Sequence, residues 1–196
     1  MRLFVAIAPP PAVLDEVEAV VAPLRPAWPS LRWTGREAWH VTLAFLGEVG
    51  EDTERALGPR LERAVQRYPC LSLSFGAAGA FPAPRRARVL WTGIHGDRRA
   101  LEALARSVAA GARRAGAPPP DEGRGFRPHL TLARCRAPAD VAPLVEALAG
   151  YAGAPWTAGE IHLIRSHLPT EAGAQPRYEV AGTWRLRAAG ARRRLG

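Results

Sequence analysis

The sequence predicts a mixed strand-and-helix protein built as two similar halves that face each other across a cleft. Short apolar runs with strand periodicity alternate with amphipathic stretches at helical spacing. A strand-to-helix unit also occurs twice: WHVTLAFLG at 39–47 leads through an acidic turn to a helical stretch, and PHLTLARC at 128–135 leads through APAD to another. Between them GAPPPDEGRGFR, residues 116–127, is too rich in proline and glycine for regular structure and is the best boundary between the lobes.

Leu3 to Ala8 reads as a buried strand, and Pro9 to Pro11 open a helix with Val13, Val17, Val20 and Val21 on one side. Leu31 to Thr34 and His40 to Leu46 read as strands around a turn at Gly35. Glu51 to Arg67 starts acidic and carries Leu57, Leu61 and Val65 at helical spacing, while Gly58 and Pro59 predict a break or kink. Leu71 to Phe75 and Arg88 to Ile94 are strands. Asp97 is placed to cap a helix bearing Leu101, Leu104, Ala105, Val108 and Ala112. After the Pro/Gly-rich connection come a strand from His129 to Cys135 and a helix from about Pro138 to Leu148. Glu160 to Leu168 and Tyr178 to Leu186 close the chain as strands.

The 196 residues are 47% hydrophobic and 23% charged, which suits a globular chain folding without a partner. All 27 basic residues are arginine, and the net charge of +9 attracts phosphate-rich partners, although part of it sits in the tail RLRAAGARRRLG. Cys70 and Cys135 form no CxxC pair, so a reducing compartment fits. The apolar run at the start is too short and too soon followed by prolines and acids for a signal peptide. No apolar run approaches the ~20 residues of a membrane span.

The two polar positions inside each strand motif carry the chemistry. Residues two apart on a strand share a face, so His40 sits beside Thr42 and His129 beside Thr131, while Val41, Leu43, Leu130 and Leu132 point to a core. An imidazole gives or takes a proton near neutral pH, and a hydroxyl donates to an anionic oxygen. If the halves face each other, two imidazoles and two hydroxyls converge, an arrangement suited to in-line attack at phosphorus with one histidine as base and the other as acid. Arg134 is the nearest arginine able to grip a phosphate, but strand periodicity puts it out of phase with Thr131 unless the strand ends or bulges.

With eight threonines and five histidines in the chain, two chance His-x-Thr pairs would arise in about 2% of such sequences. His95, His162 and His167 lack the pattern. Other chemistries lack their residues: the five aspartates are scattered, no HExxH or GxSxG occurs, and without a lysine there is no P-loop. Trp28, Trp33 and Trp39 precede the first motif, and packing is preferred over base stacking for them.

WHVTLAFLGEV and FRPHLTLAR resemble the paired motifs of the two-histidine phosphoesterase superfamily, specifically the RNA 2',3'-cyclic phosphodiesterases, also called 2'-5' RNA ligase-like proteins. RLFVAI, RVLWTGI, LIRSHL and RYEV extend the likeness over nearly the whole chain, and the 88 residues between the motif histidines fit the family layout. The resemblance implies an α+β, bilobal, pseudo-symmetric fold with two antiparallel sheets lining a central cleft and helices outside. It implies metal-independent opening of an RNA 2',3'-cyclic phosphate to a 2'-phosphate, with 2'-5' ligation as the reverse. In that pattern His40 is the proton donor, His129 the proton acceptor, and Thr42, Thr131 and Arg134 bind phosphate; the two motifs alone do not say which histidine is the acid. Phe4, Phe45 and Tyr178 are candidates for base stacking.

The expectation is a single two-lobed catalytic domain over 1–196 with a basic tail at 187–196, a cytoplasmic monomer without metal or cofactor, whose partner is RNA with a 2',3'-cyclic phosphate end or a nucleotide. Two alternatives stay open: a phosphodiesterase of small cyclic nucleotides, and a non-catalytic RNA- or nucleotide-binding module.

Overall fold

The computed structural model describes residues 1–118, 125–167 and 176–188. The opening apolar run forms β1, Arg2–Ile7, and both its faces are covered. Leu3, Val5 and Ile7 join the main core, while Phe4 and Ala6 pack with Ile164 on the opposite side. Helix α1, Pro11–Val21, takes proline at its first position, where the missing N–H has no helical partner to lose, and buries Val13, Val17 and Val21.

The remaining elements are β2 (Leu31–Trp33), β3 (Val41–Glu48), α2 (Glu51–Val65), β4 (Leu71–Phe81), β5 (Ala87–Gly96), α3 (Arg98–Arg114), β6 (His129–Ala139), α4 (Ala142–Ala147), β7 (Trp156–Ala158), β8 (Glu160–His167) and β9 (Arg177–Arg185). Every strand pairing is antiparallel. One ladder runs β3-β1-β8-β9; the other runs β7-β4-β5-β6, with β2 added on β6. They meet through a single residue pair, Val41 against Leu130. The nine strands therefore form one continuous, curled antiparallel sheet, and its two ladders, joined at that pair, take the place of the two sheets expected for the bilobal α+β fold. Helices α2 and α3 pack on each other, α3 against β3 and α2 against β9, while α4 lies against β4.

Four local expectations are corrected. Helix α2 runs unbroken through Gly58 and Pro59. An interior proline costs about 3 kcal/mol, which burial of Leu57, Leu61 and Val65 at about 2 kcal/mol each offsets. The Asp97 side chain makes no capping bond to α3; its Oδ2 accepts the Ser72 N–H at 2.8 Å and ties the helix start to β4 instead. Helix α4 begins only at Ala142, because β6 continues to Ala139 beside β5. Strand β4 runs on to Phe81, and the short β7 went unread because three residues give no periodicity.

The segment 116–127 does connect α3, on the β3 side, to β6 in the other ladder, but the chain also crosses between β2 and β3 and between β7 and β8. The lobes are interwoven, and no one segment divides them. Residues 119–124 of that connection, Leu168 and residues 189–196 of the tail lie outside the described residues. Arg187, at the head of the expected tail, is anchored: its N–H donates to the Tyr68 carbonyl and its carbonyl accepts the Cys70 N–H.

Candidate active site

The joint between the ladders is also where the two motifs meet. Val41 and Leu130 are both 0% exposed and face the core. In antiparallel register the positions flanking that pair are 40 against 131 and 42 against 129, on the opposite face. That face is a cleft of about 570 Å³ whose walls include His40, Thr42, His129, Thr131 and Arg134. Each histidine is thus set diagonally from the other and beside the other motif's threonine.

Arg134 enters the cleft because β6 bulges. Leu90 pairs with Ala133 but the next residue, Trp91, pairs with Thr131, so one extra β6 residue, Leu132, is accommodated between them. The bulge reverses the alternation: Ala133 turns to the core with Leu90, and Arg134 falls opposite Val89 on the face shared by Thr131 and Trp91. This is the condition under which the periodicity of the motif allows the arginine to reach the site.

Aromatic rings box both histidines. Phe4 lies 4.6 Å from the His40 ring by centroid and Tyr178 meets it edge-on at 5.4 Å. The Phe81 ring is perpendicular to His129 at 5.1 Å, with Trp91 at 6.2 Å. Gly79 makes room for Trp91, since a methyl group there would fall inside the indole. The Arg127 guanidinium covers the Phe81 ring at 5.6 Å.

Burial in this apolar setting holds both imidazoles in the neutral form. His40 is pushed down to about 4, mainly by desolvation and further by the Arg134 charge and His129. His129 is also lowered by burial, but less one-sidedly, because its bond to the Arg127 carbonyl favours the charged ring while Arg134 opposes it. A carbonyl only accepts, so His129 Nδ1–H donates to Arg127 O at 2.6 Å, and Nε2 is left with its lone pair. Burial likewise raises the Tyr178 phenol despite the Arg134 and Arg2 charges, keeping it protonated.

A model of the 2'-5' RNA ligase superfamily matches residues 9–169. The chain belongs to the 2'-5' RNA ligase superfamily. It is 30% identical to the RNA 2',3'-cyclic phosphodiesterase of Methanothermobacter thermautotrophicus over 95% of this chain and 99% of that one. It is 36% identical to the Aeropyrum pernix protein of the same name, over 57% of this chain and 61% of that relative. Among solved structures, Escherichia coli LigT complexed with 3'-AMP superposes with a TM-score of 0.75 at 29% identity, covering 94% of this chain and 97% of the other.

In this superfamily member the other histidines lie elsewhere. His167 pairs with Glu179 at 3.1 Å, His95 packs over Gly76, and His162 bonds the Thr183 hydroxyl across strands at 2.9 Å. Trp39 is buried, and Trp28 and Trp33 pack against the main core, as expected for them. Phe4 and Tyr178, read as candidates for base stacking, are engaged with His40, whereas Phe45 is 45% exposed at the cleft wall. The sequence reading missed Phe81, Trp91, Arg2 and Arg127. The WTGI strand carried the only signal for Trp91, and its partner across the sheet is not written in the local pattern. Both cysteines are free, and no cluster of three His, Cys, Asp or Glu side chains suited to a metal occurs among the described residues. No described helix is long and apolar enough to cross a membrane.

Proposed function

We propose that this enzyme hydrolyses 2',3'-cyclic phosphate ends of RNA to 2'-phosphates, using His129 as the base and His40 as the acid, without a metal. The observation that carries the reading is the frame of two imidazoles and two hydroxyls around the Val41–Leu130 pair. Neutral His129, with Nδ1–H engaged by Arg127, takes a proton from water through Nε2 as that water attacks phosphorus. The P–O3' bond breaks on the far side, and O3' leaves with a proton from His40. Thr42 and Thr131 donate to the non-bridging oxygens, and Arg134 balances their charge.

Burial favours the neutral form of both imidazoles, His40 most strongly, and the assignment of His40 as the acid follows the superfamily resemblance. An anionic cyclic phosphate in the cleft raises both values and supplies the charge that lets His40 hold its proton. Ligation through a 2'-5' linkage is the same opening of the ring with an RNA 5'-hydroxyl in place of water as the nucleophile, and it is the minor reaction in water.

The test is incubation with an RNA ending in a 2',3'-cyclic phosphate, in EDTA, with the position of the product phosphate determined. A 2'-phosphate is expected; a 3'-phosphate would reverse the leaving group, and abolition of turnover by EDTA would end the metal-free reading. The LigT complex with 3'-AMP favours a second reading, in which a cyclic mononucleotide suffices as substrate. Turnover of a mononucleotide and an oligonucleotide with the same end separates the two.

A further inference from the structure

β2 lies on the outer side of β6 with Leu31 against Cys135, Arg32 against Arg134 and Trp33 against Ala133. Directly opposed residues share a face. Trp33 therefore turns with buried Ala133 to the core, and Arg32 stands beside Arg134 on the cleft side, both of them exposed. Like charges directly opposed across strands repel one another. Nearby arginines are matched, Arg36 with Asp15 and Arg25 with Glu18, but neither Arg32 nor Arg134 has an acidic partner among the described residues.

An unmatched pair of guanidinium groups is relieved by an anion placed between or along them. Arg134 lines the cleft, whereas Arg32 lies one strand further out, about 4.8 Å away across the sheet, and outside the cleft wall. Arg32 thus extends the positive edge of the cleft one strand beyond Arg134.

We propose that Arg32 is a specificity-determining residue that binds a backbone phosphate upstream of the reacting end, so that the enzyme prefers an RNA chain to a mononucleotide. The inference rests on the hydrolytic reading given above and names the substrate class of that same site.

The experiment uses Arg32→Gln and Arg32→Lys in the full chain. KM is measured for a 2',3'-cyclic mononucleotide and for a short RNA with the same end, and binding of a 3'-phosphorylated RNA is followed against salt. Arg32→Gln is expected to raise KM for the RNA about tenfold while leaving the mononucleotide unchanged, and Arg32→Lys to restore most of the difference. The slope of log K against log salt should fall by about 0.7, the share of one phosphate contact on a single strand. Equal effects on the two substrates, or no effect on the RNA, would overturn the proposal. If the wild-type protein turned over neither substrate, the hydrolytic reading would fail by itself, and an unchanged salt slope would still dispose of Arg32.

Discussion

The two halves of the cleft carry the same His-x-Thr motif in different surroundings. His40 is enclosed by Phe4 and the edge of Tyr178, an apolar box that leaves the charged ring poorly solvated and takes it down to about 4. His129 has its own aromatic neighbours, Phe81 and Trp91, but also a carbonyl that fixes one nitrogen and partly compensates its burial. Two nearly identical stretches of sequence thus become chemically unequal through what the rest of the chain packs around them.

Removing either imidazole is the strongest way to break the comparison. His40→Ala and His129→Ala are each expected to lower kcat by about 10² to 10⁴, read as turnover of a cyclic-phosphate RNA. Wild-type rates in both variants would remove the two-histidine mechanism. Next in size, Gly79→Val drives the Trp91 indole off its seat beside His129 and is expected to cost roughly tenfold in kcat/KM, with the melting temperature showing that the fold survives.

The pH profile sharpens the comparison. Both free-enzyme values lie below 6.5, so the bell of kcat/KM against pH is expected to centre on the acid side of 6.5, its limbs belonging to the pair. Tyr178→Ala admits water to His40 and should raise its value, moving one limb toward neutrality; NMR titration of the His40 ring would read the shift directly. The smallest effect is on stability. The folded His40 value is below the unfolded one, so the native state binds fewer protons in between; stability is full above about 6.5 and is lost as pH falls through about 4. The loss is on the order of 3 kcal/mol, and His40→Gln should flatten that part of the curve in denaturant titrations at pH 7 and pH 4.

Much of the site could be read in the sequence because a strand's alternation is local information. Val41, Leu43, Leu130 and Leu132 face the core, and His40, Thr42, His129 and Thr131 face the cleft, as the period of two requires. What a neighbouring strand contributes was not legible. The bulge at Leu132 that admits Arg134 depends on β5, and the reach of β4 to Phe81 depends on pairing with Val89. Pro59 inside α2 shows the same limit from the other direction, since tertiary burial of Leu57 and Leu61 overrides the local helix-breaking signal.

The single pair Val41–Leu130 acts as a caliper between the two motifs. The two ladders share one hydrophobic core, and within the sheet their backbones are registered against each other at this pair. A slip of one residue at that point would turn either motif's polar pair toward the core and its leucine or valine toward the substrate. The tolerance on that register is therefore zero residues, and the two 0% exposed side chains that meet there hold both polar pairs turned into the cleft.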